Sequence, residues 1–144
     1  MNDLNSLVGT WALIAWYNRT TDGQQFYPLG EDATGYIGYT EDGFVFVQMA
    51  ARDRALYVAN DPFGGSLAED SAAMKTQIAY SGVYRRHGDL VVHHVTHASC
   101  PNWVGSEQTR HIEFVGNRLR LSAPGAVFQG REVTAHVEWQ RATV

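Results

Sequence analysis

Short runs in which aromatic and β-branched residues alternate with polar ones recur along the chain, each bounded by Gly, Asp or Asn. A two-residue period of this kind belongs to a strand with one face buried and the other in water. The pattern predicts eight strands: Leu7–Tyr17, Ala33–Thr40, Phe44–Ala50, Ile78–Arg86, Leu90–Ser99, Glu107–Val115, Arg118–Ala123 and Glu132–Arg141. Three joints, Glu41-Asp42-Gly43, His87-Gly88-Asp89 and Gly116-Asn117, carry the Gly or Asn that supplies positive φ to a tight hairpin. The predicted fold class is all-β, an eight-stranded antiparallel up-and-down barrel, whose interior has room for one small ligand.

The alternation fails once, between the third and fourth strands. Ser66-Leu67-Ala68-Glu69 has the form of a capping box, and Ala68–Gln77 continues with good helix formers, so one short helix is predicted there. Ahead of it, Asn60-Asp61-Pro62-Phe63-Gly64-Gly65 reads as a plain connection or as the hinge of a lid spanning 51–77. Neither an internal repeat nor a linker divides the chain, which is read as one domain over residues 1–144.

Composition removes several function classes. The net charge is −4 and the eleven Lys and Arg residues are scattered, leaving no basic stripe for phosphates; nucleic-acid binding is not expected. No apolar run approaches the length that crosses a bilayer, so no membrane partner is expected. Met1-Asn2-Asp3-Leu4 has neither the positive start nor the apolar core of a secretory signal, and a cytoplasmic location follows as the expectation. The lone Cys100 cannot form an internal disulfide. Asn18-Arg19-Thr20 matches a glycosylation sequon, which without a signal is read as chance.

Leu7-Val8-Gly9-Thr10-Trp11 resembles the opening Gly-x-Trp strand of lipocalins. Tyr27-Pro28-Leu29-Gly30, Gly35–Thr40, Ala79–Tyr84, Val91–Val95, Pro101–Gly105 and Trp139-Gln140-Arg141 resemble, in order, the bacterial and fungal lipocalin-like domain proteins. The resemblance covers most of the chain. It implies a calycin-type barrel around a cavity, in a superfamily that contains ligand carriers and catalysts of cyclisation or isomerisation. Fold alone does not choose between these.

The family position of Trp11 at the barrel base implies that Leu13, Ala15 and Tyr17 share its inward face. Arg141 is expected to stack on Trp11 and seal that end, in a structural role. On the last strand Ala135, Val137, Trp139 and Arg141 take one face, with His136, Glu138 and Gln140 on the other. On the fifth and sixth strands, alternation groups His93 with His97 and Gln108 with Arg110, both pairs inward, over an apolar floor including Leu119, Leu121 and Val137. Folding one strand on the other is expected to set His97 beside Gln108 or Arg110. Arg110, buried, then needs a partner such as Glu107, Tyr80 or Tyr84.

The expected ligand-binding residues are Tyr39, Tyr80, Tyr84, His93, His97, Trp103, Gln108 and Arg110. If the protein is an enzyme, His93, His97 and Arg110 are the catalytic candidates, for a cofactor-free cyclase, isomerase or dehydratase. Metal binding does not fit. His93 and His97 lie roughly 13 Å apart along a strand and His94 points away from both, whereas zinc needs three or four converging ligands. Nothing near Cys100 stabilises a thiolate, and no Gly-x-Ser-x-Gly elbow or phosphate loop occurs. The expected partner is a small, largely apolar ligand or substrate with a polar or acidic group near Arg110; no cofactor is expected, and a homodimer is left open.

Overall fold

A computed structural model describes residues 5–144, so the reading of Met1–Leu4 as lacking a signal falls outside the described residues. Among the described residues nine strands follow in chain order, β1 (Gly9–Thr20), β2 (Gln25–Phe26), β3 (Thr34–Tyr39), β4 (Phe44–Ala50), β5 (Gln77–His87), β6 (Leu90–Ala98), β7 (Glu107–Val115), β8 (Arg118–Phe128) and β9 (Arg131–Arg141). In the sheet β1 pairs with both β2 and β3, successive strands from β3 to β9 pair antiparallel, and β9 returns to β1 from Trp11↔Arg141 to Thr20↔Val133. The result is the expected closed eight-stranded barrel, with the two-residue β2 as an added flap on the upper half of β1.

The helix α1 (Leu67–Lys75) lies between β4 and β5, its capping box formed by Ser66 and Glu69 as the sequence predicts. It buries none of its residues. Its ties are polar instead: Arg54 donates to the Ala73 carbonyl, and the Tyr57 hydroxyl donates to Asp70. Among the described residues no helix is long and apolar enough to cross a membrane.

The two ends of the barrel differ. At the base, the Arg141 guanidinium lies 3.9 Å from the Trp11 ring centroid and donates to the carbonyls of Ser6 and Val8. The Trp11 indole N–H donates to Leu7, and Arg86 covers Phe114 at 5.4 Å. Around these, Trp139, Ile37, Val45, Val91 and Leu119 form a closed apolar core. The opposite end carries the β1–β2 turn, the segment from Ala51 to Thr76, the 3-10 turn Pro101–Trp103 and the β8–β9 turn.

Three bulges change which side chains face inward. Leu13 pairs with Trp139 and Ala15 with Glu138, so Ile14 is an extra residue on β1. Beyond it the alternation reverses: Trp16 and Asn18 point into the barrel, and Tyr17 stacks outside on His136 at 5.1 Å. The expected inward run Leu13, Ala15, Tyr17 therefore holds only for Leu13. On β6, Ser81 pairs with His97 and Gly82 with Val95, leaving Thr96 extra. The third bulge, between Ala123 and Ala126, absorbs Pro124-Gly125 and lets β8 run on to Phe128 rather than end at Ala123. A bulge is where a strand tolerates a proline that cannot donate to the ladder.

Candidate ligand-binding cavity

Above the closed core, the barrel encloses a cavity of about 380 Å³, within the range that holds a small organic ligand. Its floor and sides are Ile37, Val47, Met49, Leu121, Val137 and Trp139, and Trp16 and Ile78 continue the apolar surface. At the top, Phe128 packs on Phe26 at 5.3 Å, and Trp103 meets Tyr80 edge-on at 5.7 Å. The 3-10 turn that carries Trp103 follows from Pro101 at its first position and a Trp103-to-Cys100 backbone bond.

One wall is polar. His93, from the inward face of β6, is 1% exposed and sits between two phenols. Its Nε2 is 2.6 Å from the Tyr39 hydroxyl and its Nδ1 is 2.7 Å from the Tyr80 hydroxyl. Burial, and then the positive charge of Arg110, push the imidazole pKa down to about 3, so the ring is neutral at physiological pH. A neutral imidazole has one N–H and one acceptor nitrogen. Tyr39 is fully enclosed and has no other hydrogen-bond partner among the described residues. Its O–H must therefore donate to Nε2, because a buried hydroxyl without an acceptor is costly. Nδ1 then carries the proton and donates to Tyr80, which frees the Tyr80 hydrogen to point into the cavity. This tautomer is assigned from hydrogen-bond economy. Burial pushes the Tyr80 hydroxyl up to about 12 and holds that of Tyr39 well above its ordinary value, so both stay protonated.

Beside them, Arg110 from β7 donates to the Gln108 side-chain oxygen at 2.9 Å and to the Thr109 carbonyl. Gln108 is fixed in turn by the Ser106 hydroxyl. None of the expected partners of Arg110 holds it: Glu107 faces outward toward His94 at 4.0 Å, Tyr80 is engaged with His93, and the Tyr84 hydroxyl donates to the Thr40 carbonyl. Among the described residues Arg110 has no carboxylate partner. It presents an uncompensated guanidinium to the cavity.

Of the residues singled out in the sequence, Tyr80, His93, Trp103, Gln108 and Arg110 line this one space. Tyr39 stands behind them, and Tyr84 packs edge-on against Tyr39 at 4.8 Å without reaching the cavity. His97 is elsewhere. The Thr96 bulge turns it to the exposed outer face beside Phe46 and Tyr36, so the residue that meets Gln108 across the β6–β7 ladder is His93. Sequence reasoning missed Trp16 and Asn18, which the Ile14 bulge brings inside, and left Gln48 and Met49 unresolved; Met49 lines the cavity. Asn18 is 2% exposed and faces inward, a position closed to a glycan.

A family model described as a lipocalin-like domain matches residues 8–142. No curated protein matches the chain. Among solved structures, a lipoprotein YedD from Klebsiella pneumoniae is similar at 12% identity over 97% of this chain and 74% of that one, with a TM-score of 0.43. An uncharacterized protein from Bacteroides eggerthii is similar at 16% identity over 94% of this chain and 99% of that one, with a TM-score of 0.46.

Proposed function

The chain belongs to the lipocalin-like domain family, and on that premise we propose that it holds a small, largely apolar molecule whose carbonyl or carboxylate faces Arg110. The observation that carries this reading is a guanidinium without a counter-charge on the polar wall of a mainly apolar cavity. Arg110 is part-buried rather than fully buried as expected from the sequence, so water still reaches its charge, and an acidic or carbonyl group gains a charge-assisted hydrogen bond there. Gln108 neutralises nothing; an acidic or carbonyl group on the ligand does. The Tyr80 hydroxyl, its hydrogen turned inward by the His93 tautomer, supplies a second donor for the same group.

Binding is favoured over catalysis by the state of His93. A general base for a cyclase, isomerase or dehydratase works best with a pKa near the working pH. His93 is held near 3 with both ring nitrogens engaged, which suits it to orienting Tyr80 rather than to taking a proton. No cofactor is needed for this role. Calorimetric titration with a panel of medium-chain and aromatic acids tests it: a one-to-one isotherm with at least one member is expected, and no heat from any overturns it.

A further inference from the structure

The cavity has a second polar feature that the Arg110 wall does not use. Asn18 is 2% exposed, lines the cavity, and its side-chain oxygen has no hydrogen-bond partner among the described residues. Asparagine is a poor strand former, and nothing local accounts for it here: the neighbouring Thr20 bonds Asp22 and Gln24, whereas the Asn18 side-chain oxygen accepts nothing among the described residues. The apolar neighbours Trp16, Val133 and Ala135 could be joined by a leucine at lower cost.

Its position relative to Arg110 follows from the ladder. Ile112, Leu121, Val137 and Trp16 form one row across β7, β8, β9 and β1. One inward step above that row stand Arg110, Ala123, Ala135 and Asn18, with Ala123 paired to Ala135 and Ala135 to Asn18. Two alanines thus separate a cation from an unpaired amide, and their small size opens the space between. Three strand spacings put the two poles at most about 14 Å apart around the wall.

We infer that Asn18 is the second recognition pole of the cavity, and that the ligand is bipolar: an acceptor group at Arg110 and a hydroxyl at Asn18, joined by an apolar span. This rests on the binding role proposed above. A hydroxyl both donates and accepts, so it satisfies the amide in either of its two orientations.

Decanoic acid and ω-hydroxydecanoic acid, titrated calorimetrically, test this directly. The wild type is expected to bind the hydroxy acid about tenfold more tightly, and in Asn18→Leu the ratio of the two affinities is expected to fall to about one or below. Should Asn18→Leu fail to fold, Asn18→Ala gives the same comparison. Equal affinity of the two acids for the wild type means that Asn18 meets only water, and overturns the inference while leaving the binding role intact. A preference that persists in the variant also overturns it. Failure of both acids to bind overturns the inference of an apolar span between the two poles, whereas the binding role falls only if the wider panel of acids is silent as well.

Discussion

The hydroxyl of Tyr39 stands 2.6 Å from Nε2 of His93 in the buried interior of the barrel, and this contact fixes how the cavity's polar wall points its hydrogens. The Tyr39 hydroxyl donates a hydrogen bond to His93, His93 donates one to Tyr80, and the Tyr80 hydrogen is left to point into the cavity. The chain has a direction because its inner end is closed.

The pH dependence of stability follows from that burial. In the unfolded chain His93 takes up a proton below about 6.5, whereas in the folded barrel it does so only near 3. Between those values the unfolded state binds more protons, so stability falls as pH falls, by up to about 1.4 kcal/mol per pH unit from this residue. His136, also lowered by burial, adds in the same direction. Urea unfolding of His93→Gln, which keeps a donor and an acceptor for the two phenols, is expected to show a shallower loss between neutral pH and about pH 4.5 than the wild type. Parallel curves would count against the buried neutral imidazole.

Arg110 has polar neighbours but no carboxylate, so its removal should cost the fold little. Arg110→Leu is expected to weaken decanoic acid by about 1.5–3 kcal/mol, the worth of a charge-assisted hydrogen bond. Binding of decanol should change far less. Equal losses for acid and alcohol would mean that the guanidinium does not read charge.

His97 provides the contrast. Turned outward by the Thr96 bulge, it touches nothing in the cavity, and His97→Ala should leave the decanoic acid dissociation constant within about twofold. A loss comparable to that of Arg110→Leu would place the bulge elsewhere.

At the base, Arg141→Ala removes the stacking on Trp11 and the bonds to Ser6 and Val8. A loss of about 1–3 kcal/mol in thermal unfolding is expected, with ligand affinity unchanged. Reduced affinity at full stability would give the base a part in binding.

Most of the strand plan was legible in the chain, because a half-buried strand must alternate and a tight turn must accept positive φ. Gly43, Gly88 and Gly116 all adopt it at the predicted hairpins. The faces were legible only up to the first bulge, since one extra residue inverts everything beyond it. That is why His97 was expected inside and Asn18 went unnoticed. A signal for the Thr96 bulge did exist: Gly82 interrupts β5 opposite it, where a Cβ would run into the His94 carbonyl oxygen. An isolated glycine in a strand marks such an approach, but does not say which strand carries the extra residue. Pro124-Gly125 misled in the opposite sense, resembling a strand end while lying within β8. The grouping of Tyr80, His93, Gln108 and Arg110 survived because β7 is regular along its length and the β6 bulge lies beyond His93.

A ligand-binding role requires that the space between Arg110 and Asn18 takes a molecule. Trp16, Trp103 and Trp139 line it, so their emission reports occupancy. Titrating decanoic acid into the wild type and into Ala135→Phe, which fills the gap between the two poles, is the most direct measurement. Saturable one-to-one quenching in the wild type, lost in Ala135→Phe while its thermal unfolding stays cooperative, is the predicted result. Quenching that persists undiminished in Ala135→Phe would contradict it.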